Sequence, residues 1–228
     1  MAAIIFNLTT FALLALIFAT GRDLVGVHDV KQLRQRTIPW YAVGITAVGV
    51  LGVLVQLSWS GAMDTFDSDP ARTGWWRVIT SVFMQNGGVV GTVYNLITLA
   101  VIAALAEWIW RGPLMLLLFL AGAILPQYID LLVGVGGGVS TDPRNFAGSS
   151  GATYFLGATL VGAALLRNRT RRDVLLALSV PVFGLVLWFA QDNGHGLVSV
   201  YGVVFGLVVA AVMSLVSKRS LSPASASR

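Results

Sequence analysis

With 56% hydrophobic residues, only 11% charged ones and a mean hydropathy of +0.80 over 228 positions, the chain is too apolar for a soluble domain and falls in the membrane class. Its formal net charge of +5 comes from basic residues clustered between apolar runs, a pattern that orients a chain in a bilayer and argues against nucleic-acid binding. Cysteine is absent, which excludes disulfides, thiol catalysis and cysteine-based metal sites.

A helix needs roughly 20 apolar residues to cross a hydrocarbon core of roughly 30 Å. Seven runs of that kind are predicted, at 3–20, 39–59, 88–109, 113–133, 149–166, 174–190 and 196–216. The first lacks a basic n-region, and Ala19-Thr20-Gly21 is a poor cleavage site, so an uncleaved helix is expected rather than a signal peptide. Arg22, Lys31, Arg34 and Arg36 follow run one, and Arg111 follows run three. Arg167, Arg169, Arg171 and Arg172 follow run five; Lys218 and Arg219 follow run seven. The positive-inside rule makes these alternate loops cytoplasmic, with the N-terminus outside and the C-terminus inside.

Loop 60–87 is long for a bundle connector, and its amphipathic stretch Trp75–Phe83 is expected to lie along the outer interface. The glycine-rich segment at 134–147 is expected to be a flexible loop; no Gly-Lys-Ser/Thr follows it, so it is no phosphate cradle. The small, polar residues after Lys218 predict a disordered cytoplasmic tail.

Within this topology, run five opens with Gly148-Ser149-Ser150-Gly151 and run seven with His195, so Ser150 and His195 share the outer leaflet. Ser150 to Leu166 spans about 24 Å, short of the bilayer core, which sinks the serine below the outer surface. A neutral imidazole within reach can take the hydroxyl proton of a serine as it attacks a carbonyl. Tyr154, one turn beyond Ser150 on the same face, can support the imidazole, and helix-start N–H groups point toward a developing oxyanion. Small residues alone favour a packing role, and Gly202 and Gly206 are read that way; a histidine at a membrane-helix end is a functional candidate by default. Asp192 is expected in the loop, and His28 in solvent on the opposite side.

These residues resemble the rhomboid intramembrane serine proteases. Gly148-Ser149-Ser150-Gly151 is similar to that family's nucleophile motif, Tyr154 to the aromatic that stacks on the histidine, and His195 with its glycine-rich helix to the general base. Trp76-Arg77 resembles the family's first-loop motif, Asn95 the oxyanion asparagine, and Glu107 a structural acid at the inner end of the same helix. The resemblance implies an all-α polytopic fold divided into an extra N-terminal transmembrane helix and cytoplasmic loop (1–38), a six-helix core (39–216) and a disordered tail (217–228). The chain departs from the pattern at Gly91, where a histidine is common four residues before Asn95, at Gln85, near another frequent histidine, and at Val198 in place of a glycine. The oxyanion hole is then weaker, or is completed by Gln85, Asn86 or water.

The function implied is a serine endopeptidase acting on transmembrane protein substrates in the plane of a cell membrane, toward its outer leaflet. Ser150 is the nucleophile, His195 the base, Asn95 the oxyanion donor and Tyr154 the support of the histidine. No metal or organic cofactor is implied, and the partners are membrane substrates and the bilayer. A catalytically inactive relative binding transmembrane clients is the alternative. A transporter ranks below both, because Pro126 and Pro181 read as ordinary kinks and Glu107 and Asp130 lie near helix ends.

Overall fold

The computed structural model describes residues 2–134, 146–167 and 170–220. Residues 135–145 of the expected glycine-rich loop, Arg169, and residues 221–228 of the expected tail lie outside the described residues. Of the described residues 82% are helical and none is in a strand, as expected where hydrocarbon forces every backbone polar group to find its partner internally.

The long helices are α1 (Ala2–Val25), α3 (Trp40–Ser58), α6 (Gly88–Trp110), α7 (Gly112–Val133), α8 (Ser150–Leu165), α9 (Arg171–Gln191) and α10 (Gly194–Ser220). Three short ones lie between them: α2 (Val30–Arg34), α4 (Ala62–Phe66) and α5 (Arg77–Thr80), the last running into a 3-10 turn at Ser81–Phe83. Local chemistry sets the ends. Thr170 and Asp173 form a reciprocal capping box, which starts α9 three residues before the apolar run does. Arg111, at φ 64°, turns the chain sharply between α6 and α7, and Pro113 follows in the first turn of α7, where its missing N–H costs nothing. α10 continues through Lys218 and Arg219, so the tail begins later than its composition suggests.

Six of the seven runs become helices long and apolar enough to cross a membrane, making this a multi-pass membrane protein. The exception is α8. Its 16 residues fall short of a span, and every residue from Ala152 to Ala164 is buried. It stands as a central post packed against α10, α7, α1, α6 and α9, with α3 outside on α6.

The most extensive helix contact is between α8 and α10. A Cβ at Gly206 would meet the Thr159 backbone, one at Gly202 the Phe155 carbonyl, and one at Gly162 the Val203 carbonyl. Only hydrogen at these positions lets the two backbones approach, which is the packing role expected of the Gly202/Gly206 pair. On the other side of α8, Leu13 and Ile17 of α1 are fully buried. α1 thus packs on the 39–216 unit along α6, α8 and α9.

The bundle has two chemically distinct ends. One carries Arg22, His28, Arg36, Arg111 and Arg167, with Arg36 donating to the Val25 carbonyl, Arg167 to the Leu24 carbonyl, and the Glu107 carboxylate accepting from the Ala42 N–H at 2.8 Å. The other holds loop 59–87 and the first turns of α6, α8 and α10.

Candidate active site

Loop 59–87 is held by its own ion pairs. Arg77 donates to the Asp67 carboxylate and to the carbonyls of Asp64, Asp67 and Thr73, while Arg72 reaches Asp64 at 2.7 Å. The hydrogen bond that Arg72 donates to the Asp64 carboxylate raises the guanidinium above its ordinary value, holding it charged. Trp75 is 80% exposed and Trp76 is 41% exposed, as an interfacial anchor requires. The rest of the expected interfacial stretch turns inward instead: Ser81 and Val82 are buried, as are Met84 and Gln85 just beyond. The reason is visible in the backbone. The Ser81 carbonyl accepts from the Gly148 N–H at 3.0 Å, and the Ser68 N–H and hydroxyl both donate to the Phe146 carbonyl, so the loop sutures the segment that leads into Ser150.

Gly148 has φ +145°, a conformation that side chains rarely adopt, and a Cβ there would stand 3.6 Å from Asn95 Nδ2 and 3.9 Å from Ser150 Oγ. The glycine thus lets the chain turn into α8 while leaving the nucleophile candidate and the amide close together. Ser150 is the first residue of α8, where N–H groups lack partners inside the helix.

His195 Nε2 lies 3.0 Å from Ser150 Oγ. With the ring proton on Nδ1, Nε2 is the acceptor for the hydroxyl hydrogen. The Tyr154 ring sits against the imidazole with centroids 4.7 Å apart and planes at 59°. Tyr154 is 2% exposed and its hydroxyl donates to the Thr10 carbonyl of α1 at 2.8 Å. Behind His195, the fully buried Asn193 accepts from the His195 N–H at 3.1 Å and donates through Nδ2 to Thr10 Oγ1 at 2.7 Å. No carboxylate bonds the imidazole among the described residues. Asp192 occupies an exposed left-handed turn at the end of α9, in the loop as expected.

Asn95 donates through Nδ2 to Gln85 Oε1 at 2.8 Å. Gln85 is in turn clamped by Gln56, which accepts from its N–H at 2.8 Å and donates to its carbonyl at 2.9 Å. Gln85 Nε2 and Ser149 Oγ are buried and have no partner among the described residues. Such groups are costly unless something accepts from them. A Cβ at Gly91 would meet nothing within 4 Å, so α6 presents open space one turn before Asn95.

Ser150, His195, Tyr154 and Asn95 are therefore brought to one end of the bundle. His28 is at the opposite end, mostly exposed and 3.6 Å from Asp23, and a cleft of about 320 Å³ there, lined by Arg22, Asp23, His28, Arg172 and Asp173, contains none of the four. Sequence reasoning passed over Thr10, Asn193 and Gln56. The available signals were the Thr9-Thr10 pair in the largely apolar first half of α1 and a lone glutamine near the end of α3. A scan against protein-family models and a search of curated proteins return no match for the chain.

Proposed function

We propose that the protein is a rhomboid-type intramembrane serine endopeptidase. The observation that carries this reading is the 3.0 Å contact between Ser150 Oγ and His195 Nε2 at one end of an apolar helical bundle. In the proposed reaction Ser150 Oγ attacks the carbonyl carbon of a peptide bond near the end of a transmembrane substrate, and its proton passes to His195 Nε2. The tetrahedral oxyanion is met by the second hydrogen of the Asn95 amide and by the Ser150 N–H. Collapse breaks the C–N bond, and the leaving amine takes the proton from Nε2. Water then repeats the sequence on the acyl-serine and frees the carboxylate. Tyr154 fixes the plane of the imidazole, the task that a carboxylate performs in a triad. The active end faces outside, since the arginine-rich loops gather at the other end.

The test is reaction of the detergent-solubilised protein with a fluorophosphonate. Labelling is expected in wild type and absent from Ser150→Ala and His195→Ala; equal labelling of all three would sink the dyad. A second reading, an inactive protein that binds transmembrane clients, is favoured by one observation: Asn95 Nδ2 already donates to Gln85. Folded wild type that binds a transmembrane segment but neither labels nor cuts would establish it.

A further inference from the structure

The first half of α1 is apolar except for Asn7 and the pair Thr9-Thr10, and its polar links to other helices converge on one place. Thr9 Oγ1 donates to Gln191 Oε1 at 3.0 Å, the Thr10 carbonyl accepts from Tyr154, and Thr10 Oγ1 accepts from Asn193. Two of these three partners touch His195 directly, one through its ring and one through its backbone N–H. The Thr10 hydroxyl hydrogen is committed to the Phe6 carbonyl at 2.7 Å, so the oxygen has a fixed lone pair to offer Asn193. Asn193 is itself held at four points: its N–H reaches the Leu187 carbonyl, its carbonyl accepts from Gly196, and its side-chain oxygen and nitrogen each make a bond. Hydrogen bonds between threonine, asparagine and tyrosine join many membrane helices; what sets these apart is that two of the partners bear on His195.

We infer that Thr10 of α1 is a positioning residue for His195, acting through Asn193 and, by its carbonyl, through Tyr154. This rests on the proposed dyad. α1 bears on His195 through these two residues, one against its ring and one on its backbone, so the N-terminal helix is a working part of the site. Replacing Thr10 by valine keeps the branched shape and the carbonyl but removes the acceptor, leaving a buried Asn193 N–H without a partner.

The experiment follows fluorophosphonate labelling of Ser150 in the full-length detergent-solubilised chain over a range of probe concentrations. Thr10→Val is expected to lower the saturating labelling rate at least tenfold while the half-saturating concentration stays within twofold, and Thr10→Ser to label like wild type. Thr9→Val, which breaks the neighbouring link to Gln191, is the structural control and is expected to label normally. If Thr10→Val fails to fold, Asn193→Ala cuts the same link from its other end and is expected to give the same loss. Thr10→Val or Asn193→Ala labelling at the wild-type rate would overturn the inference while leaving the dyad standing. Wild type that is not labelled at Ser150 would overturn both.

Discussion

Gln85 and Asn95 form a pair in which the same amide chemistry does two jobs. Gln85 Oε1 takes one hydrogen of Asn95 Nδ2, which points the other away from Gln85, and Gln56 locks the Gln85 backbone that makes this possible. Under the proposed mechanism, Asn95→Ala is expected to lower turnover about a hundredfold with little change in KM, the usual consequence of losing one oxyanion donor. Gln85→Leu is expected to lower turnover by a smaller factor, because Asn95 keeps its amide but loses its orientation. Steady-state cleavage of a transmembrane substrate by the two variants checks both statements, and a Gln85→Leu enzyme slower than Asn95→Ala would show that Gln85 Nε2 itself meets the oxyanion. Ser150, His195 and Tyr154 were legible in the sequence because a histidine at a membrane-helix end stands out by type and the spacing of the three sets their leaflet and helical face. Thr10 was not, since a threonine in a membrane helix commonly satisfies itself on the preceding turn, as Thr10 also does with Phe6.

At the scale of elements, the dyad depends on how α8 and α10 cross. Ser150 and His195 each lie in the first turn of a helix, so their separation follows the geometry of the glycine-lined contact below them. Gly206→Ala is expected to destabilise the protein by about 1–3 kcal/mol through overpacking against the Thr159 backbone and to slow Ser150 labelling as the helices part. Gly44→Ala, on α3 where a Cβ would meet nothing within 4 Å, is expected to leave labelling unchanged and stability equal or slightly higher. Thermal unfolding in detergent measures the contrast. Most helix ends were legible from apolarity because hydrocarbon leaves the backbone little choice, but α1 and α10 run on past their apolar runs to Val25 and Ser220, through charged residues that hydropathy stops at. The start of α9 was missed by three residues because a polar capping box, not hydropathy, sets it. The inward turn after Trp76 was also hidden, since the Ser81 and Gly148 backbones that draw it in are 67 residues apart.

For the molecule as a whole, the absence of cysteine makes topology open to direct measurement. In the proposed orientation a single cysteine at Asp69 reacts with an impermeant maleimide on intact cells, whereas one at Arg34 reacts only after permeabilisation; the reverse pattern would invert the protein in the membrane and move the dyad to the cytoplasmic side. The charge of the loops carries that prediction, because the sign of a short loop reports its side. The sequence is silent on which helices surround α8. Spacing fixes depth and direction but not neighbours, so the insertion of α1 against α6 and α9 emerged only from the packing.

The shortness of α8 has a consequence in time. A segment of 16 residues cannot span a bilayer by itself without drawing polar backbone into hydrocarbon, and α8 covers that deficit only when surrounded. Its most extensive neighbour is α10, which the ribosome makes later. During synthesis the serine is therefore embedded in an incomplete scaffold and has no histidine to meet. Under the proposed mechanism the two halves of the dyad come together only as the bundle closes, so that a nascent chain would cut nothing until its architecture is finished.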